Sequence, residues 1–379
     1  MSKKTEKKGS GAEYEEYESY ERKNGKPSAI HKAFTFLFRL LLVLMETVLL
    51  AGIALYSVMF VLAKGPSPTA GNLFVMSVRE TSAIGFLANL FFTEEEIARI
   101  EASRNVDEYV ETDTSLININ MENGQGGESA TGPQADAWGL VDEDGDGIIV
   151  EPVKGEGYSG YMMVVLDPSR VIMGSIPESF GGRGYTVEQM VKEFDAVAGI
   201  NAGGFDDPNG QGDGSIPDSL VVVDGEIYYA GNGYRDGFVG FDSNYIMHVG
   251  RPTTTEIREK DIRYGVCFGP VLISNGVPAD PDVLSSGLNP RTAIGQRSDG
   301  AVLMLVIDGR QVISLGATFQ DLVDIMLEYG AVNACNLDGG SSTLMWYEDG
   351  YINNCASVIG IRPVPTTFLV LKEGANANG

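Results

Sequence analysis

Four short constellations in this 379-residue chain combine residue types that could do chemistry. INAGGFDD, residues 200–207, runs an apolar stretch through Asn201 into Gly203 and Gly204, where the backbone can come close to whatever binds. NPRTAIGQ, residues 289–296, puts Arg291 and Thr292 at the start of a strand, and VIDGRQ, residues 306–311, puts Asp308 and Arg310 at the exit of the next. NLDGGSST, residues 336–343, begins at Asn336 and brings Asp338 to the end of a buried run. Gly339, Gly340 and Ser341 follow and can turn their amides inward as a nest for an anion. An arginine beside amide-rich turns suits a phosphate, because guanidinium grips two oxygens at once. Two carboxylates nearby suit glycosidic chemistry, which uses an Asp/Glu pair flanking the bond. Each Asp-Gly taken singly is ordinary turn chemistry, so the weight lies on the set.

The elements that must position these residues are short β-rich runs separated by glycine turns. YMMVVLD (161–167), SLVVVDGEIYY (219–229), GPVLISNG (269–276), AVLMLVIDG (301–309) and TTFLVLK (366–372) read as strands. Asp224-Gly225, Asp299-Gly300 and Asp349-Gly350 are hairpin signals. Thr186 with Gln189 and Thr318 with Asp321 predict two capped helices, the second ended by Gly330. Gly184–Ala202 aligns without gaps on Gly316–Ala334 with five identities, a weak internal repeat whose use is geometric: both Gly-Gly turns would leave comparable strands and face one site. The class expected is α+β, a mixed β-sheet domain with a few packed helices over residues 138–379.

Ahead of that domain the composition changes twice. Leu40–Ala63 carries one ionisable residue, Glu46, and is long enough to cross a hydrocarbon core as a helix. Nine basic residues precede it, from Lys3 to Arg39, against Lys64 alone in the dozen that follow. The positive-inside rule then predicts a cytoplasmic tail (1–33), a membrane anchor (34–64) and an extracellular remainder. Residues 65–137 read as a helical stalk and linker. Thr93 ahead of Glu94, Glu95 and Glu96 starts one helix, and residues 118–136 are rich in Gly, Gln, Ser and Asn.

The chain's net charge is -25, and residues 65–379 alone carry 17 Lys and Arg against 45 Asp and Glu, or -28. Such acidity repels phosphate backbones, so no nucleic-acid partner is expected. Three cysteines exclude a disulfide framework, and two histidines exclude a histidine-rich metal site.

INAGGF, SLVVVDGE, GPVLISNG, NPRTAIG, VIDGR and NLDGGSST, in this order and spacing, make residues 158–372 resemble the phosphodiester glycosidase family. The resemblance implies hydrolysis of a sugar 1-phosphodiester, with release of the sugar and a phosphomonoester. It implies Asp338 or Asp308 as nucleophile or water-activating base. Arg291 and the amides of Gly339–Ser341 would hold the phosphate, with Thr292, Gly203, Gly204 and Arg310 also at the substrate and Asn201 and Asn336 on sugar hydroxyls. The partner expected is a glycan or sugar phosphate at the cell surface or in exopolysaccharide metabolism. A glycan-binding or assembly factor without turnover would need the same residues.

No cofactor is predicted from these motifs, and no metal ligand set is proposed for the site. Asp142, Asp144, Asp146 and Gly147 imitate the start of an EF-hand loop and so admit calcium, although position twelve is Val153 rather than Glu. His248 reads as a structural strand residue, and Cys335 as a small buried one that could bridge to Cys355 in an oxidising compartment.

Overall fold

The structure is a computed structural model and describes residues 29–80, 84–102, 110–119, 135–207, 212–229, 237–357 and 360–375. The basic residues before position 29 and most of the polar 118–136 linker lie outside the described residues. The chain divides into two compact units, Met1–Gly65 and Pro66–Gly379.

In the first unit a single helix, α1 (Ala29–Lys64), covers the predicted span and extends it at its amino end. Its large apolar side chains, from Ile30 to Leu62, are exposed. Length and composition let it cross a membrane.

The second unit begins with α2 (Pro68–Arg79), whose amino end is capped by Ser67, and α3 (Glu94–Ala102). Thr93 and Glu96 exchange backbone and side-chain hydrogen bonds at the start of α3, as its sequence predicts. Phe74 meets Phe91 edge to face at 5.6 Å, and Arg79 pairs with Glu101 at 2.9 Å. These helices and the 110–119 segment form one unit with the domain. The Thr112 hydroxyl accepts from the Val249 amide, the Asp113 amide donates to the Asn275 side chain, and the Asn118 amide donates to Ser298.

The principal sheet holds seven strands in the order β1 (Ile148–Gly155), β2 (Tyr158–Val165), β13 (Val302–Ile307), β12 (Arg291–Arg297), β14 (Ala331–Leu337), β10 (Val271–Ser274) and β11 (Val277–Pro278). A second runs β16 (Gly350–Tyr351), β15 (Met345–Tyr347), β4 (Ala196–Asn201), β17 (Thr367–Leu371) and β3 (Val171–Gly174). A third runs β6 (Glu226–Tyr229), β5 (Val221–Val223), β9 (Ile262–Cys267), β7 (Phe238–Asp242) and β8 (Met247–Gly250). The class is α+β, as expected, and each of these strand pairs is antiparallel.

Period-two alternation sorts the buried side chains of the principal sheet. Met163, Val165, Val302, Met304 and Val306 face the two smaller sheets, while Met162, Val164, Leu303, Leu305 and Ile307 face the helix α6 (Phe319–Glu328). Phe319, Leu322, Val323 and Met326 supply the apolar stripe of α6, each buried side chain worth roughly 2 kcal/mol. The predicted capping boxes form at α4 (Val187–Glu193), through Thr186 and Gln189, and at α6, through Thr318 and Asp321. A third forms at α5 (Thr254–Glu259), through Thr253 and Glu256. Gly330 follows α6 in the left-handed region at φ 84°. The three hairpins also form; at the last of them the turn is made by Glu348 and Asp349, and Gly350 already pairs with Tyr347.

Arg297 ends β12 with none of its surface exposed. It stacks on Trp138 at 3.8 Å, donates to Asp136 at 2.7 Å and forks onto Asp299 at 3.0 and 2.5 Å. Burial would raise the Asp136 carboxyl, yet bonds from Arg297 and from the Leu140 and Trp138 amides hold it below its ordinary value. Arg297→Ala leaves the half-buried Asp136 and the exposed Asp299 without their cation and empties the stacking place on Trp138, and should cost about 3 kcal/mol in urea denaturation.

Candidate active site

The antiparallel ladders gather the motifs. Because β12 runs opposite to both neighbours, its first residues lie beside the last residues of β13 and β14: Arg291 opposes Ile307, and Thr292 opposes Leu337. Arg291, Asp308 and Asp338 thus reach one edge of the principal sheet. The carboxyl end of β4, in the second sheet, meets the same edge through Asn201.

Asn201 is wholly buried and makes three bonds there. Its Oδ1 accepts from the Thr292 hydroxyl at 2.9 Å and the Leu344 amide at 3.1 Å, and its Nδ2 donates to the Asp338 carbonyl at 2.6 Å. The Asp338 amide in turn donates to Ala202 at 2.9 Å. Asp338 is therefore clamped by its backbone between the two sheets, with the residue itself partly exposed. These contacts make Asn201 and Thr292 the mounting of Asp338. Gly203 donates its amide to Thr366 at 2.9 Å, and a Cβ at Gly204 would lie 2.6 Å from the Asp218 carboxylate and 2.9 Å from the Phe268 ring, so a side chain there would displace both. The two Gly-Gly turns do converge, although the aligned Asn333 sits buried within β14 while Asn201 ends β4.

The two candidate carboxylates have different surroundings. Asp308 is 3% exposed, and its oxygens accept from the Asn353 side chain at 3.2 Å, the Asn354 amide at 2.9 Å and the Asn354 side chain at 2.8 Å. That arrangement ties down the 353–354 loop. Asp338 is only partly buried.

The arginines also differ. Arg291 lies 4.1 Å over the Phe319 ring and donates to Ala317, to Gly287 and, at 2.9 Å, to Glu80, the residue that caps α2. Arg310, by contrast, is exposed as a residue and adopts φ 57°. Burial of its guanidinium and the charge of Arg291 lower its pKa from the ordinary arginine value. It donates to Asn289 at 3.2 Å, and a Cβ at Gly340 would lie 3.3 Å from it. The 339–341 turn lies close to this guanidinium, but its amides do not form a complete nest. The Gly340 amide donates to the Pro290 carbonyl at 2.8 Å, and Gly340–Ser342 winds into a short 3-10 turn. Asn336 is 2% exposed and donates to the Gly269 carbonyl at 2.7 Å, with its Oδ1 buried and unpartnered.

Arg362, in the IRPVP segment, escapes motif reading because no strand or glycine turn marks it. It is 6% exposed, donates to Ser341 at 3.1 Å and forks onto Asp207 at 2.9 and 2.5 Å. Burial would raise the Asp207 carboxyl, but the bonds from Arg362 and Gly212 and the arginine charge leave it lowered.

Asp142, Asp144 and Asp146 bring carboxylate oxygens within 4.8 Å of one another, and Asp142 accepts from the Gly145 and Gly147 amides. Burial and the two neighbouring carboxylates raise Asp146. His248 lies in β8 and bonds Asp242 at 3.1 Å. Cys335 and Cys355 are both free thiols. A cavity of about 320 Å³ beside Trp346 and Lys192 shares no residue with the site.

Residues 194–371 match the phosphodiester glycosidase family model. The SPbeta prophage-derived uncharacterized protein YomE of Bacillus subtilis (strain 168) is 35% identical over 184 residues, which is 46% of this chain. The match spans 28% of that relative's own length. Among solved structures, the zebrafish N-acetylglucosamine-1-phosphodiester alpha-N-acetylglucosaminidase catalytic domain, auto-inhibited by its pro-peptide, is similar in fold. Its TM-score is 0.51 at 17% identity, over 65% of this chain and 86% of that one. An exported protein of Burkholderia pseudomallei K96243 aligns with a TM-score of 0.44 at 19% identity, over 56% of this chain and 74% of that one.

Asn201→Ala strands the Leu344 amide and the Asp338 carbonyl in the interior, and urea denaturation should show a loss of about 2–4 kcal/mol. Because the folded Asp207 carboxyl is lowered, its contribution to stability is complete above the ordinary Asp range, near pH ~4, and is lost as pH falls through the depressed value. The difference in Tm between wild type and Asp207→Asn should accordingly be full at neutral pH and close on acidification.

Proposed function

We propose that the chain hydrolyses a sugar 1-phosphodiester at the anomeric C1–O bond, with Asp338 as the reacting carboxylate. The observation that carries this reading is the mounting of Asp338. Its backbone is fixed from both sheets, its residue stays partly open, and the turn that follows has Arg310 against Gly340 and Arg362 on Ser341. The family of residues 194–371 supports a glycosidase-type activity.

A phosphomonoester leaves as an anion and needs little protonation, so the demands on the site are to hold the phosphate and to stabilise an oxocarbenium-like transition state. In this reading Arg310 faces the phosphate, Arg362 fixes Ser341 beside it, and Asp338 acts at the anomeric carbon as nucleophile or as base for water. Arg291 supports the strand edge from beneath, and Asp308 anchors a loop.

The apolar helix α1 serves as a single membrane anchor, with its basic flank in the cytoplasm and the acidic domain outside, where a cell-surface or exopolysaccharide substrate would be met.

The purified chain should release sugar from a sugar 1-phosphodiester, and Asp338→Asn should lower kcat by at least about a thousandfold while still binding the substrate. Binding by the wild type without any turnover would instead identify a glycan-binding protein.

A further inference from the structure

The site's exposed arginine is held by a chain of contacts that begins outside the family-matched segment. Glu80 caps α2, and one of its oxygens, Oε2, accepts both from Arg291 and from the Asn289 side chain, each at 2.9 Å. The Asn289 amide group is thereby oriented, and its Oδ1 accepts from Arg310 at 3.2 Å, with the guanidinium lying against Gly340 in the turn after Asp338. A second contact presses α2 onto the same segment. A Cβ at Gly287 would come within 2.2 Å of the Ser77 hydroxyl and 3.2 Å of its Cα, so this close approach needs glycine, and the Gly287 carbonyl is itself a partner of Arg291.

We infer that Glu80 is a positioning residue of the active site: through Asn289 it aims Arg310 at the substrate's phosphate, so that α2, the helix following the apolar span, completes the anion-holding half of the site. The inference rests on the proposed phosphodiester substrate. Its physical basis is that a long arginine side chain has many rotamers, and fixing one before substrate arrives reduces the entropy lost on binding. Glu80 has a second role as counter-ion to the buried Arg291, which neutralises that arginine and leaves Arg310 as the cation nearest Gly340. The contacts from Glu80 reach Arg310 through Asn289.

The test is a double-mutant cycle in the full chain, read as KM and kcat on a sugar 1-phosphodiester and as affinity for inorganic phosphate. Glu80→Ala should raise KM about tenfold, weaken phosphate binding equally and leave kcat within about twofold; tenfold corresponds to ~1.4 kcal/mol. In an Arg310→Ala background the same change should do nothing further, because the group through which it acts is gone. Glu80→Gln, which keeps an acceptor for Asn289, should recover most of the loss. If Glu80→Ala unfolds the chain by leaving Arg291 unpaired, Asn289→Ala cuts the relay while keeping that ion pair, and it should raise KM to the same degree. Equal effects of Glu80→Ala in both backgrounds, no effect in either, or a fall in KM overturns the inference. Should the wild type show no turnover but bind phosphate, with binding weakened by Asn289→Ala, the glycosidase reading fails and the relay stands. Normal turnover with KM and phosphate affinity unmoved by either variant leaves the glycosidase reading intact and overturns the relay.

Discussion

The architecture of the site depends on one buried carboxamide. Asn201 ends a strand of the second sheet and engages Thr292, Leu344 and Asp338. Each of these bonds is worth only about 1 kcal/mol net, but an unmade partner in that dry interior costs about 1–3 kcal/mol. The asymmetry makes the junction close to all-or-none: the strand end of β4, the start of β12 and the end of β14 come together correctly or leave buried polar groups unpaired. The position of Asp338 follows from that junction and from the Gly203-Gly204 turn, where a side chain at Gly204 would displace Asp218 and Phe268.

Charge is distributed with the same economy. In a region carrying -28, carboxylates are plentiful, and three buried arginines each have one at hand: Glu80 for Arg291, Asp136 and Asp299 for Arg297, Asp207 for Arg362. These arginines are structural fasteners, because buried guanidinium with a satisfied counter-ion orders the segments it joins. Arg310 reaches the turn after Asp338. Its contact at Asn289 is a neutral amide, and it holds a left-handed backbone conformation that a non-glycine residue adopts only when its surroundings require it.

Much of the fold was legible because local rules and tertiary packing agree in it. The apolar run AVLMLVI reads as a strand and forms β13, and the Thr186 and Thr318 boxes form as their residues predict, as do the hairpins marked by Asp224-Gly225 and Asp299-Gly300. The site was legible as a set of motifs, since antiparallel pairing brings strand starts beside strand ends. What the motifs do not contain is which groups are already engaged. Nothing in NPRTAIGQ reveals that Arg291 turns to a glutamate more than two hundred residues earlier, or in VIDGRQ that Asp308 binds the 353–354 loop. Asn201 and Asn336 read as sugar ligands by type, yet burial commits both to the backbone. Arg362 and Glu80 belong to none of the four motifs, so only long-range contacts reveal them. The separate stalk expected over 65–137 likewise depends on contacts: Ser77 against Gly287 and Asn118 against Ser298 join its described parts to the domain.

In the proposed reaction the substrate lies with its anomeric carbon at Asp338 and its phosphate at Arg310. A structure of the intact chain carrying a sugar 1-phosphate measures this directly. The phosphate should lie within hydrogen-bonding distance of Arg310 beside the Gly339–Ser341 turn, with the anomeric carbon facing the Asp338 carboxylate. A sugar bound with its anomeric carbon turned away from Asp338, or a phosphate that bypasses Arg310, would contradict the account.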